Sequence, residues 1–310
     1  MEQRQRRRLA PGTLWPAVLR QTEHALRCGA LQPIDTQQAV IESGGIRFLV
    51  RQVSSLTRKE QQRAQAAKVQ TAKRPSVNPF LPYEPDLFVA DISDTHLALL
   101  NKFNVIDHHL LIVTRAFERQ EALLDLADFE ALLACMAQFD GIGFYNAGAA
   151  AGASQPHKHL QIVPLPLGDA GPPVPIEPML ATAVIEGPAA RVPGLPFRHA
   201  FARFEPDAMA SADAARLALS CYRTLFEAAR VGTVDIDGER CHATPYNLLV
   251  TREWMLLMPR SDERVEGVPV NALGFAGSLF VRDAAQMDVI ERLGPMTVLQ
   301  RVALPANASR

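Results

Sequence analysis

The chain has 310 residues, 48% of them hydrophobic and 21% charged, with a formal net charge of −1. That is enough apolar material for a sizeable core in one large or two ordinary domains, and it excludes a disordered chain. The balanced charge excludes a globally basic nucleic-acid binder, and no apolar run reaches the ~18–20 residues of a membrane span, so neither nucleic acid nor membrane is an expected partner.

The chain opens with Arg4, Arg6, Arg7 and Arg8 and no apolar stretch behind them, which reads as a solvated tail rather than a secretory signal. Leu14, Val18, Leu19 and Leu26 predict a helix over 14–28 with these four on one side. The β-formers from Ile46 to Val53 predict a strand. Residues 58–74 are polar and basic (Arg58, Lys59, Arg63, Lys68, Lys73, Arg74), which suits a solvated helix or loop, or a basic lid over a polyphosphate. Pro79, Pro82 and Pro85 make 78–85 a loop or edge segment. Leu97–Leu100 and Leu110–Val113 read as adjacent strands, with His108 and His109 at the second strand's start taken as structural.

Apolar residues from Leu123 to Met136 predict a helix over 117–139. A Gly/Ala-rich loop, 147–154, leads into a strand over 156–163. The prolines and glycines of 165–198 suggest a crossover or linker. A helix over 210–231 follows, then strands over 246–251 and 254–258 joined as a hairpin, and a closing helix over 284–293. Consecutive strands interrupted by helices favour an α+β fold with a mostly antiparallel sheet flanked by helices. Cys28, Cys135, Cys221 and Cys241 form no CxxC pair, so free thiols in a reducing cytoplasm are expected, with no protein metal site.

The sharpest feature is His157-Lys158-His159-Leu160-Gln161. On a strand, alternate side chains share one face at ~6.6–7 Å spacing, so His157, His159 and Gln161 should point together. Two imidazoles and an amide make a poor core face unless each finds a partner. Three readings are open: a structural pair, a two-histidine metal site, or nucleophilic attack on phosphorus through a phosphoramidate. The preceding loop, with Gly148, Gly152, Ser154 and Gln155, favours the last, because small residues let phosphate oxygens approach backbone and side-chain donors.

Asn146-Ala-Gly148, Gly152-Ala-Ser-Gln155 and the His-x-His-x-Gln run together resemble the Ap4A phosphorylase (ATP adenylyltransferase) branch of the histidine-triad superfamily. Residues 78–82, 100–113, 245–251, 254–255, 259–260 and 271–277 are similar to flanking segments of that family. The resemblance implies a HIT-like fold in three parts: an N-terminal adenylyltransferase region (1–170), a Pro/Gly-rich linker (171–198) and a C-terminal region (199–310), with terminal extensions completing one nucleotide site. It implies that His159 attacks the α-phosphorus, that the His157 main chain orients its ring, and that Gln161 holds phosphoryl oxygens. Asn146, Gly152, Ala153, Ser154 and Gln155 would line the phosphate chain. Asn101 and Lys102 would meet ribose and phosphate, Lys59 a further phosphate, and Asn247, Thr251, Met255 and Arg260 would complete the nucleotide site. The implied ligands are Ap4A, ATP, ADP and phosphate, with Mg2+ at most accompanying the nucleotide. A galactose-1-phosphate uridylyltransferase-like enzyme and a catalytically silent dinucleotide-binding protein are the alternatives. No pattern sets an oligomeric state.

Overall fold

The computed structural model describes residues 8–54, 78–205 and 207–306. Its centre is a ten-stranded antiparallel sheet in the order β3-β4-β5-β7-β6-β13-β14-β10-β9-β8. The strands are β3 (Phe88–Asp91), β4 (His96–Leu100), β5 (Leu110–Thr114), β6 (Gly141–Ala147), β7 (His159–Pro164), β8 (Val184–Glu186), β9 (Ala189–Arg191), β10 (Ala200–Arg203), β13 (Tyr246–Val250) and β14 (Trp254–Pro259). A smaller sheet pairs β1 (Thr36–Ser43) antiparallel with β2 (Ile46–Val53), and β2 parallel with β17 (Ser278–Val281). Short hairpins, β11 (Thr233–Ile236) with β12 (Glu239–His242) and β15 (Arg264–Val265) with β16 (Val268–Pro269), complete the strands.

The central strands are buried on both faces, and their residues divide by parity. Leu160, Ile162, Tyr145, Leu248 and Val250 face one apolar cluster with the helices Leu14–Cys28, Leu126–Met136 and Ala214–Ala228. Phe144, Val163, Leu249, Leu256 and Met258 face a second cluster that includes β2, β17 and the helices Ala284–Leu293 and Pro295–Val302. This period-two division puts His159 and Gln161 on the face covered by the small sheet.

The 14–28 helix buries Leu14 and Val18, but Leu19 and Leu26 are exposed, so the expected four-residue stripe is narrower than read. The expected 117–139 helix is only Leu126–Met136. Asp125 ends the preceding extended chain with a capping box, its carboxylate accepting from Asp128 N while Asp128 accepts from Asp125 N. Ahead of it the chain is tied by bridges from Arg119 to His157 and from Ala122 to Cys241. The helix expected over 210–231 spans Ala214–Ala228.

The segment 171–198, read as a linker, is part of the core. Val174, Ile176, Leu180, Val192, Leu195 and Phe197 are buried, and β8 and β9 extend the central sheet through β10. Pro175 lies so close to Gly277, at φ +94°, that a Cβ there would meet the Pro175 Cβ at 2.7 Å. The two regions flanking this segment therefore share one sheet, joined where β6 pairs with β13. Lys59 and the rest of the basic 58–74 segment lie outside the described residues.

Candidate active site

A cavity of about 470 Å³ opens between the β4–β5–β7 side of the central sheet and the small sheet. Its lining includes the apolar Ile34, Leu99, Phe103, Ile106 and Leu279 and the polar His159, Gln161, His109, Asn101, Asn146 and Arg51.

His159 begins β7, and its ring is held at one nitrogen: Nδ1 lies 2.8 Å from the His157 carbonyl oxygen. A carbonyl only accepts, so Nδ1 carries the proton and Nε2 keeps its lone pair for the cavity. Burial pushes the His159 pKa down to about 4. The ring is therefore neutral at pH 7 although it lies in a polar site. Gln120 brackets the residue, its Oε1 accepting from His159 N at 2.9 Å and its Nε2 donating to His159 O and Asn146 O. Phe80 packs on both histidine rings, with centroids 5.3 Å from His159 and 5.6 Å from His157.

His157 is fully buried and points into protein rather than cavity. Its Nε2 is 2.8 Å from the Thr114 carbonyl and so donates; its Nδ1, 2.9 Å from Asn78 Nδ2, accepts. Burial lowers its pKa as well. Each nitrogen has a protein partner in this arrangement, and a shared metal between His157 and His159 has no donor left on the former.

Gln161 lies two residues along the strand. Its Oε1 accepts from His109 Nε2 at 2.9 Å, while His109 Nδ1 accepts from Asn101 Nδ2 at 3.0 Å. The donor–acceptor sequence fixes the amide: with its oxygen engaged by His109, the Gln161 NH2 is the end left for the cavity. Burial holds His109 near pKa 4, so this ring is neutral too. His109 was read from sequence as structural, yet it lines the cavity and sets Gln161. Its reach to Gln161 follows from β5–β7 pairing, in which Leu111 stands opposite Gln161 and His109 comes two residues before Leu111, and that pairing is invisible to local pattern.

The loop departs from the sequence reading in detail. Gly152 has φ +91°, and a Cβ there would crowd Val270 O at 3.0 Å, which explains the glycine. Its N–H and that of Ala153 turn inward, to Ala149 O and Gly148 O, so neither serves as a phosphate donor. Ala153 does not line the cavity; Gly152, Ser154 and Gln155 do. Among the described residues the Ser154 hydroxyl and Gln155 amide make no protein hydrogen bond, leaving them to a ligand.

The C-terminal residues support the site from beneath. Asn247 Nδ2 donates to Asn146 Oδ1 and Ala151 O, both at 2.8 Å, and Asn146 Oδ1 also accepts from Ala272 N. Arg260 is almost wholly buried, donating to Asn247 Oδ1 and to the carbonyls of Val270, Asp262 and Val302. Burial lowers its pKa to about 10, which leaves it charged. These two residues clamp the 148–152 loop to the 270–272 turn and do not reach the cavity. Thr251 and Met255 are further corrections. Thr251 Oγ1 accepts from Glu253 N and Trp254 N in the β13–β14 hairpin, and Met255 is a fully buried core residue.

Lys102 lines the cavity but its Nζ is 2.6 Å from Glu84 Oε2, another lining residue. Arg51, which the sequence reading did not select, also lines it, donating to Ser278 Oγ and to Leu167 O. Burial is the main influence on its guanidinium, lowering its pKa.

Comparison with known proteins agrees with this architecture. The family model for the Ap4A phosphorylase N-terminal domain matches residues 4–182, and that for the ATP adenylyltransferase C-terminal domain matches residues 193–305. Diadenosine 5',5'''-P1,P4-tetraphosphate phosphorylase 2 of Saccharomyces cerevisiae is 28% identical over 212 residues, 61% of this chain and 63% of that protein. Protein APA1 of the same organism is 28% identical over 206 residues, 60% and 61% of the two chains. The matched stretch is thus a little under two thirds of each relative's length. The crystal structure of yeast Ap4A phosphorylase Apa2 superposes with a TM-score of 0.78 at 21% identity, covering 97% of this chain and 98% of that one. Its complex with Ap4A gives 0.76 at 20% identity, covering 97% and 100%. At these identities the superpositions establish the fold.

Proposed function

The chain belongs to the Ap4A phosphorylase family, and from that premise we propose that it converts Ap4A and phosphate into ATP and ADP, reversibly, through an adenylyl-histidine on His159. The observation that carries this is the His159 ring: tied at Nδ1, neutral, and presenting Nε2 to a cavity.

In the first step Nε2 attacks the α-phosphorus of one adenylyl half. The P–N bond forms as the bond to the bridging oxygen breaks, and ATP leaves. Positive charge then spreads over the imidazolium, where Nδ1–H donates to the His157 carbonyl and so favours the adduct over a free, rotating ring. In the second step a phosphate oxygen attacks the same phosphorus, the P–N bond breaks, and ADP forms. The Gln161 NH2 supplies a donor to the phosphoryl oxygens in both steps, while an amide cannot act as a general acid or base toward water near pH 7. That favours an anionic acceptor, which needs no general base.

His109 and Asn101 act through Gln161 as positioning residues, and Gln120 does the same for the His159 main chain. Ser154, Gln155, Asn146, Lys102 and Arg51 are the cavity groups placed to receive the polyphosphate, and Lys102 would exchange Glu84 for phosphate when the nucleotide enters. The apolar lining of the cavity suits a base. Glu84 is the single carboxylate among the described lining residues and is engaged by Lys102, so Mg2+ would arrive on the nucleotide's own phosphates. No helix of the described residues is long and apolar enough to cross a membrane, and the described cysteines are free thiols; the cytoplasm is the compartment we infer.

The test is incubation with Ap4A and phosphate, with ATP and ADP as expected products. Brief exposure to Ap4A without phosphate should add one adenylyl mass to the peptide holding His159. The absence of both the products and the adduct overturns the reading.

A further inference from the structure

Away from the cavity, three side chains of unlike chemistry converge on the exposed end of the first helix. His24 and Cys28 are four residues apart on Leu14–Cys28, hence one turn apart on the same face. Asp86 comes from the single turn Pro85–Leu87 that leads into β3. His24 Nε2 lies 2.8 Å from Asp86 Oδ1 and 4.0 Å from Cys28 Sγ, and one donor atom from each of the three residues falls within 4.8 Å of the others. The main chain of the turn is held from a second point on that helix face, since Gln21 Nε2 donates to the Asp86 backbone carbonyl at 2.6 Å. The turn is therefore docked on the helix whether or not the side chains bind anything.

We propose that His24, Cys28 and Asp86 form a surface site for a divalent transition metal of the zinc class, separate from the nucleotide site. A thiolate, an imidazole and a carboxylate are the donor set for zinc rather than for Mg2+ or Ca2+, which take oxygen alone. Zinc–nitrogen and zinc–oxygen bonds near 2.0–2.1 Å and a zinc–sulfur bond near 2.3 Å put tetrahedral ligand edges at about 3.3–3.6 Å. The nitrogen–oxygen edge then opens and the nitrogen–sulfur edge shortens, each by about half an ångström, within the reach of exposed rotamers. Solvent takes the fourth position.

The protons balance as follows. Cys28 Sγ–H, now directed to Ala25 O, gives its proton to solvent as the sulfur–metal bond forms. The His24 proton that faces Asp86 moves from Nε2 to Nδ1, freeing the Nε2 lone pair. One proton is released per metal bound.

The bound metal would cross-link the first helix to the turn two residues after Glu84, the partner of Lys102 in the cavity wall. The spacing His24-x3-Cys28 is present in the sequence, but the third ligand is 58 positions downstream of the thiol, and only the fold brings it there.

Cobalt titration of the metal-free, fully reduced full-length protein tests this. One equivalent of Co2+ should release one proton and produce a thiolate-to-metal charge-transfer band, which Zn2+ then abolishes by displacing the cobalt with no further proton release. The assignment is clean because burial pushes the Cys135 and Cys221 thiols up to about 12 and Cys241 is buried, so Cys28 is the accessible sulfur. Cys28→Ser should abolish the band, and His24→Ala and Asp86→Asn should each weaken binding at least ~10-fold. All three side chains are exposed, so the variants should fold, with unchanged thermal unfolding in the absence of metal. A band that survives Cys28→Ser, affinity unaltered in both other variants, or no band at all overturns the site.

Discussion

Lys158 and His159 are consecutive residues, yet their side chains enter opposite faces of the sheet and two different electrostatic environments. On the helix side, Lys158 Nζ sits 2.6 Å from Asp128 Oδ2 and 3.1 Å from Glu118 Oε2, and Asp128 also accepts from His96 at 3.1 Å. Burial opposes both charges, but Asp128 and Glu118 outweigh it at Lys158, whose pKa is raised. At Asp128 burial is likewise outweighed, by His96 and Lys158, which hold the carboxyl below its ordinary range. On the cavity side no carboxylate among the described residues pairs with either ring, and burial is the main influence that lowers the pKa of His159 and His109, with a smaller push from the neighbouring histidine. The same loss of water thus yields fixed charge where a counter-ion is supplied and a lone pair where it is not. The charged side anchors the strand and the neutral side is left reactive.

The contrast breaks most visibly at His159, the proposed nucleophile. His159→Ala should lower phosphorolysis by ~10⁴-fold or more, since the covalent route is removed rather than weakened, while leaving the Lys158 cluster and the unfolding midpoint nearly unchanged. Steady-state rates and denaturant titration on one preparation check both halves. Lys158→Met should do the reverse in kind, costing ~3–5 kcal/mol of stability because it strands the buried Asp128 carboxylate. Urea unfolding measures it, and a loss under 1 kcal/mol would deny the anchoring role.

His109→Leu removes the donor that orients Gln161, and kcat should fall ~10–100-fold, matching the ~1–3 kcal/mol cost of an unpaired buried polar group. KM should change little, as His109 acts through Gln161 on the reacting phosphate.

Stability against pH sharpens the comparison further. Unfolded histidines titrate near 6.5, whereas His109, His159 and the buried His242 titrate at about 4 in the fold. Between these values the unfolded chain binds protons that the folded chain refuses, so stability should decline as pH falls from about 6.5 to about 4. A His242→Leu variant should show a shallower decline in the same denaturation series. The smallest effect belongs to Met255→Leu: a core exchange of similar volume, costing under ~1.5 kcal/mol, with nucleotide KM unaltered.

These outcomes also bear on how much of the site could be read from the chain. The histidine-glutamine strand, the glycine-bearing loop before it and Asn101 were legible because their residue types are costly to bury without purpose. Arg260 and Asn247 were legible as special but not in role: they brace the loop from below, and sequence carries no sign of which face a polar residue supports. Thr251 and Met255 were misplaced because a hairpin turn and a core position look like site flanks when only their order is known. Gln120 is missed altogether, lying in a stretch whose apolar spacing reads as helix, whereas the helix begins only at the Asp125 N-cap.

The sequence by itself determined the α+β class, the first helix, the strand at 46–53, the helix at 284–293 (though not the further helix Pro295–Val302 that follows it) and the location of the histidine strand, because hydrophobic periodicity and histidine placement are local properties of the chain. Only the tertiary structure decided that segment 171–198 is core, that His109 faces Gln161 across β5 and β7, and that Lys158 and His159 occupy environments of opposite character. Those depend on strand register and on what covers each face, and both are set by contacts between residues distant in sequence.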